Sequence, residues 1–419
     1  MLSLLKKNNS REYVYIICIL ISLSSIGSSQ DKSWLFSFKK NPVNSNNMWI
    51  EKNNFGRDVS DLNFDTYFEI KQSNFTYIFN IFSNVNQQKV ENIYLHESFI
   101  KYKFSDKTFF RIGQYYRDFS QYLNDELSSG SMLISNNAEP MPKIGLVSSA
   151  KIKKNPNITF NFGVSHGEFE KNDYYDKKPL LHEKFIYLNV KKDNYKFGVG
   201  LVHEAIWGGS TFFGGDEPSE FKDFLKIIIS ADGPLIEGQS HANALGNHLG
   251  LWDFYYQKNY KNQILKLYYQ HFFEDTSGLR FHNRFDGLWG LELNNYIPDT
   301  TILLEYLDTS NQNIDPPYVS ESYYSHGTYR LGWSYKNYIL GNPFVSSIET
   351  KFIHLGVKGR LLSKYQYKVK GSRRIDIAEK FNYKIEIIKT ISPNYNINLF
   401  ILNDNKDKSG IGFGISKIL

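Results

Sequence analysis

Along most of this chain apolar and polar residues alternate with a period of two, the signature of strands with two different faces. Ile158, Phe160, Phe162 and Val164 alternate with Thr159, Asn161, Gly163 and Ser165. Ile186, Leu188 and Val190 alternate with Phe185, Tyr187 and Asn189, and Phe197, Val199 and Leu201 with Lys196, Gly198 and Gly200. The same rhythm sets Leu265, Leu267 and Tyr269 against Lys266, Tyr268 and Gln270, and Ile302, Leu304 and Tyr306 against Leu303 and Glu305. It ends with Ile411, Phe413 and Ile415 against Gly412, Gly414 and Ser416. One face of each strand must meet something other than water.

The connections carry an independent signal. Short ones are read at 105–107, 154–157, 192–194, 259–261, 296–298 and 391–393, and longer ones at 117–142, 166–182, 204–246, 273–286 and 309–325. Short and long connections alternate in outer-membrane barrels, with short periplasmic turns and long external loops. Counting predicts fourteen strands from Trp34 to about Lys336 and four more to Leu419, about eighteen in all. Residues 337–371 fit one long strand or two short ones, and even parity prefers one. The expected fold is an all-β transmembrane antiparallel barrel of about eighteen strands, its lumen partly closed by loops and a short helix. That helix is expected over 219–231, with Ser219 as N-cap and Phe221, Phe224, Leu225 and Ile228 on one face before Asp232-Gly233-Pro234 stops it. It is expected to fold into the mouth or lumen.

The N-terminus changes the picture. Lys6, Lys7 and Arg11 precede an apolar run from about Tyr13 to Ile26, then the small residues Gly27, Ser28 and Ser29. This reads as a secretory signal peptide over 1–29, leaving 30–419 as the barrel. The run is shorter than the ~20 residues a spanning helix needs, against the alternative of an uncleaved anchor. Cys18, the single cysteine, lies inside that run. The mature chain therefore has neither disulfide nor thiolate chemistry.

Beyond the leader no segment is apolar enough for a membrane helix, yet aromatic residues make up 16% of the chain, with 30 Tyr and 32 Phe. Barrels have this profile, because only alternate residues face lipid and aromatic girdles mark both interfaces. Losing three basic residues and one acidic residue with the leader lowers the formal charge from +6 to +4. That mild bias permits attraction to an acidic polymer without demanding one.

The block from Gly246 to Trp333 contains HFFEDTSGLRFHNRFDGLWGLEL, residues 271–293. This run closely resembles the capsule assembly proteins of the Wzi type, and a weaker similarity extends from about Tyr94 through Tyr383. The resemblance implies an eighteen-stranded outer-membrane barrel tied to capsular polysaccharide at the cell surface. Some members carry a periplasmic helical bundle before the barrel. The residues between the expected cleavage site and the strand near Asn63 show no helical periodicity, so the bundle is not carried over.

Enzymatic chemistry has little support. His271, Ser277 and Asp286 form a triad on paper, and His203-Glu204 offers a base, but Ser277 lacks the glycines of a nucleophile elbow. His241 and His248 lie seven apart with no third ligand at a recognisable spacing, so no metal and no cofactor is expected. No nucleic-acid module is present in the sequence. Sugar recognition fits better, because aromatic faces stack on pyranose C–H edges while Arg, Asp, Glu and Asn hydrogen-bond at the rim. The candidate glycan-binding set is Trp207, Glu274, Asp275, Arg280, His282, Asn283, Arg284, Asp286, Trp289, Tyr323 and Tyr324. Each of these has a competing reading as a loop brace or girdle residue. The expected function is non-enzymatic: a monomer in outer-membrane lipid that binds or anchors capsular or extracellular polysaccharide. The alternative is a porin-like channel for small solutes or polymer export.

Overall fold

The computed structural model describes residues 31–418 except 42–48, 50–51, 58–61, 87–88, 212–214, 236–242, 275, 313–322, 347, 379–380 and 404–408. The expected signal peptide lies outside the described residues. Nineteen strands form one antiparallel sheet that closes on itself. In chain order they begin β1 (Asp31–Lys40), β2 (Leu62–Gln72), β3 (Phe75–Asn86), β4 (Lys89–Leu95), β5 (Ser98–Ser105) and β6 (Thr108–Gln114). Next come β7 (Pro142–Ile152), β8 (Asn155–Glu168), β9 (Leu180–Lys192) and β10 (Tyr195–Trp207). A small ribbon, β11 (Ser210–Thr211) with β12 (Gly215–Asp216), and the helix α1 (Phe221–Ile229) lead to β13 (Asn247–Tyr260) and β14 (Gln263–Phe273). The wall continues with β15 (Gly287–Asn294) and β16 (Thr300–Asp308), and a second ribbon pairs β17 (Ser334–Tyr335) with β18 (Tyr338–Ile339). It ends with β19 (Lys351–Leu361), β20 (Tyr365–Arg374), β21 (Asn382–Ser392), β22 (Tyr395–Asn403) and β23 (Ser409–Ile418).

β4 and β5 both pair with β3, at Ile81–Asn86 and Phe75–Ile78, so together they make one stave interrupted at His96-Glu97. The wall therefore has eighteen staves. It closes where β1 meets β23, with Leu35 opposite Ile418 and Lys40 opposite Phe413. Closure leaves no unpaired edge, which lipid could not hydrogen-bond.

Every alternation read from the sequence faces as its apolar side requires. Phe162, Val164, Ile186, Leu188, Phe197, Leu267, Leu304, Ile411, Phe413 and Ile415 are all exposed on the outer wall. Their neighbours point inward and pack. Gly290 on β15 shows how tightly: a Cβ there would lie 1.9 Å from the Tyr268 ring, which fills the space.

One expectation about strands is corrected. Residues 326–336, counted as a barrel strand, form none, and Ser334 and Tyr335 belong to the β17–β18 ribbon inside one long connection, 309–350. Conversely 337–371 contains most of two staves, β19 and β20, not one. The two miscounts cancel. The sequence around 326–336 is apolar because Tyr329 and Trp333 are buried in the lumen core and Leu331 packs against it.

The lumen is filled mainly by 115–141, the connection between β6 and β7. Leu127, Met132, Leu133 and Ile134 join a core with inward residues such as Val202, Leu251, Phe272, Leu303 and Phe352. Polar anchors hold the loop at several levels. Asp253 accepts from Ser120 Oγ at 2.5 Å, from Tyr187 at 2.6 Å and from the Tyr122 hydroxyl. Glu305 accepts from Ser128 Oγ at 2.6 Å and Ser129 N at 2.7 Å. Met132 N donates to Gln270 at 3.0 Å, and the His354 ring bonds Leu127 O at 2.6 Å. A second inward segment docks on it: Asn342 Nδ2 donates to Gly130 O at 2.9 Å, and Tyr324 OH to Met132 O.

The helix is not part of this plug, and that expectation is overturned. On β10 the outward row of Phe197, Val199 and Leu201 continues through His203, Ala205 and Trp207, and α1 packs on the latter residues. Ile227, fully buried, meets Ala205, Trp207 and Leu245, while the Phe224 ring lies 5.2 Å from His166 and 5.6 Å from His182. The helix therefore rests on the outside of the wall, near its external rim. Phe221, Leu225 and Ile229, at helical spacing, stay exposed on the face turned away. Nor is Ser219 its cap: Glu220 takes that position, its N–H donating to Asp223 at 3.0 Å, and Ser230 ends the helix in a left-handed conformation, φ 52°. The shift follows from Asp223, whose side chain accepts from the Glu220 N–H in a reciprocal cap.

Candidate functional site

The long connections lie at one end of the barrel and the short turns at the other. The turns 73–74, 106–107, 153–154, 193–194, 261–262 and 295–299 mark the closed-turn end. The connections 115–141, 169–179, 208–246, 274–286 and 309–350 gather at the other, which is the expected external face.

Loop 274–286 folds against the rim of β13–β15. Trp252 Nε1 donates to Leu279 O at 3.1 Å, and the Phe281 ring stacks on His271 at 4.1 Å. Positive φ at Phe281 (64°) and Arg284 (54°) turns the chain twice in four residues. Arg280, His282 and Arg284 are thereby left exposed on one hairpin, while Asn283 points inward. Asn283 Nδ2 donates to Phe272 O at 2.8 Å and to Tyr323 OH at 2.7 Å.

Asp286 is buried at the start of β15. Its carboxylate accepts from Asn311 N at 3.0 Å, Asn311 Nδ2 at 2.8 Å and Tyr323 OH at 3.2 Å. Burial outweighs these bonds and pushes the carboxyl up to about 7. Asn283, Asp286 and Tyr323 thus form a cross-loop brace between 274–286 and 309–350. Tyr324 is buried beside them, bonded into the plug. The paper triad does not assemble: His271 Nδ1 meets the Asp286 backbone oxygen at 2.9 Å, not its carboxylate, and Nε2 meets Gly278 O at 3.2 Å.

The two tryptophans belong to the wall. Trp289 faces outward and stacks on Tyr269 at 3.8 Å, as a girdle residue does. Trp207 is buried under α1, 5.4 Å from the Phe224 ring. Glu274 is half-buried at the end of β14, and Asp275 lies outside the described residues. Of the candidate set, the structure brings Asn283, Asp286 and Tyr323 together as a brace and Arg280, His282 and Arg284 together as an exposed basic hairpin.

Beside the brace an external cleft of about 600 Å³ opens between 323–346 and the segments around Lys52 and Asn137. Tyr324, Arg330, Ser334, Asn337 and Tyr338 line it. Lys52 is fixed at its edge, donating to Pro343 O at 2.9 Å above the Phe344 ring. A tyrosine, a guanidinium, an ammonium and small amides around a shallow volume suit a polyhydroxylated ligand, which needs many directional partners and one flat apolar face. Alternation could not find this cleft, because its residues come from irregular backbone.

Among the described residues no group of three His, Cys, Asp or Glu side chains is placed to hold a metal ion. No described helix is long and apolar enough to cross a membrane, and this says nothing against crossing by strands.

Comparison with known proteins agrees with this architecture. The barrel superposes on that of Wzi, "an outer membrane protein involved in group 1 capsule assembly in Escherichia coli" described as a carbohydrate-binding β-barrel. The TM-score is 0.61 at 14% identity, over 99% of this chain and 89% of that one, so the shared property is the fold. A mutant porin of Rh. blastica aligns at a TM-score of 0.42 and 8% identity over 93% of this chain and 99% of that one, too distant to bear on conductance. No curated protein sequence matches. The profile of the family "Capsule assembly protein Wzi" matches residues 48–394, most of the barrel, and the chain belongs to that family.

Proposed function

We propose that this protein holds capsular or other extracellular polysaccharide at the outer face of the outer membrane, binding it without chemical turnover. The carrying observation is the external cleft beside the exposed Arg280–His282–Arg284 hairpin. The cleft supplies an aromatic face and hydrogen-bonding groups, and the hairpin supplies charge. Guanidinium forks match carboxylates bidentately, which suits a polymer with acidic sugars. The plug formed by 115–141 leaves surface binding, not passage through the lumen, as the reading the geometry favours.

The test combines two measurements on Arg280→Ala/Arg284→Ala. Cells carrying it should shed polysaccharide into the medium, while the barrel still runs as a heat-modifiable band on gels. Binding of purified polysaccharide by wild type should weaken as salt rises toward the regime where exposed charges are screened, and the variant should show less salt dependence. Normal capsule retention by this variant would make Arg280 and Arg284 loop braces and move the binding face to the cleft alone.

A further inference from the structure

Inside the barrel six cations face three carboxylates. Arg57 pairs with Asp65 at 2.9 Å. Lys358 and Lys368 share Glu126, each at 2.7 Å, and Lys368 also lies 3.8 Å from Glu386. Glu386 is further tied by Asn398 Nδ2 at 2.7 Å. The next carboxylate along the wall, Glu305, is taken by Ser128, Ser129 and Tyr268. Six cations against three carboxylates leave an excess of positive charge around Lys39, Lys370 and Lys384, whose shared nearby carboxylate is Glu386.

These three lysines belong to one inward-facing group. Lys370 on β20 sits directly opposite Lys384 on β21, so their side chains leave neighbouring positions on the same face. Lys39 on β1 and Lys384 lie over the ring of Phe400, 4.9 and 5.0 Å from its centroid, and Lys370 lies 5.6 Å from the ring of Trp49. Phe400 is buried, so it serves as a spacer between two ammoniums. None of the three makes a hydrogen bond or an ion pair to a described residue. Rings soften the cost of gathering ammoniums but do not cancel their charge.

Like charges gathered on one inward face destabilise the fold unless something neutralises them. Strand positions facing a polar lumen would accept Ser, Thr or Asn equally well, so three lysines gathered on one face point to a partner. We infer that this cluster is a binding site for a multivalent oxyanion, the carboxylates of an acidic saccharide segment. It is separate from the external hairpin and cleft. The choice of saccharide over a free oxyanion rests on the polysaccharide reading above; the anion site itself does not.

The test uses the purified full-length barrel in detergent, titrated by calorimetry with trigalacturonate, the neutral maltotriose, and inorganic phosphate. Trigalacturonate should bind wild type and raise its heat-modification temperature, and maltotriose should do neither. Lys39→Gln/Lys370→Gln/Lys384→Gln should lose roughly tenfold or more in affinity, and the corresponding three Lys→Arg changes should restore it. Without ligand the Gln variant should unfold no earlier than wild type, because repulsion is removed; a bracing role would make it unfold earlier. Equal trigalacturonate affinity in wild type and the Gln variant, or equal binding of maltotriose, overturns the inference. Binding of phosphate without trigalacturonate overturns the saccharide assignment. Arg280→Ala/Arg284→Ala is run alongside: loss there with retention in the Gln variant refutes the lumenal site and leaves the surface reading standing. Lumenal binding with unchanged capsule retention in the arginine variant does the reverse.

Discussion

Closure of the lumen depends on a few buried carboxylates that hold the 115–141 plug, and this can be tested by removing two of them. Asp253→Ala removes the acceptor of Ser120 Oγ, Tyr122 and Tyr187. Hydrogen bonds to a charged group contribute about 1.5–3 kcal/mol each. Three would total several kcal/mol, but burying the carboxylate itself costs several kcal/mol, which the substitution recovers. The net loss for the docked plug is then about 2–3 kcal/mol. A shift of ~3 kcal/mol changes an equilibrium by about two orders of magnitude. The plug keeps Gln270, Glu305 and His354 as further anchors, so the single variant should stay closed with brief openings. Asp253→Ala/Glu305→Ala also strands Ser128 Oγ and Ser129 N. The two sites sit on different strands and hold different parts of the loop, so their effects should roughly add. In planar bilayers wild type should show little steady conductance, the single variant short openings, and the double variant stable open steps. Both variants should keep heat-modifiable migration, since neither residue contributes its backbone bonds less than before. A double variant that assembles and stays closed would refute this reasoning and shift closure to 323–345. Large stable steps in wild type would refute it from the other side.

Two further outcomes follow from other parts of the structure. Ile227→Asp should undock α1 from the outer wall at a cost of about 2–5 kcal/mol, exposing 208–246 to protease while the barrel stays heat-modifiable; unchanged cleavage would mean the helix is held elsewhere. Asp286 titrates near 7 when folded, above the ordinary carboxyl range it has unfolded, so the folded protein holds an extra proton between those values. Stability of the 274–286 brace should therefore fall as pH rises from about 4 to 7 and level off above it. In Asp286→Asn, hydrogen exchange in this loop should lose that pH dependence, and an unchanged pH profile would show that Asp286 is not its source.

The barrel could be read from sequence because lipid outside and packed polar groups inside impose a strict period of two. Ile186, Phe197 and Ile411 had to face outward whatever lay within. Turn lengths fixed which end carries the loops for a similar reason: strands this close need only two to five residues to reverse. Residues 326–371 show where alternation alone stops deciding. A buried irregular segment with Tyr329 and Trp333 is as apolar as a strand, and only its burial in the lumen tells them apart.

Which loop enters the lumen, and which lies on the wall, was decided by tertiary structure. The amphipathic pattern of α1 announces a helix, but the side of the wall it covers depends on the outward parity of His203, Ala205 and Trp207 one strand away. The polar 115–141 segment carries no such pattern, yet Asp253, Gln270, Glu305 and His354 from four separate strands receive it. The candidate binding residues divide in the same way. Their chemistry was visible as residue types, but separating the exposed Arg280 and Arg284 from the buried Asn283 and Asp286 needed the two positive-φ turns between them. Lys39 lies hundreds of residues before Lys370 and Lys384, and each alone is an ordinary polar position on a strand. Only closure of β1 onto β23 brings Lys39 to the Phe400 ring that Lys384 also meets, because a barrel makes neighbours of the first strand and the last.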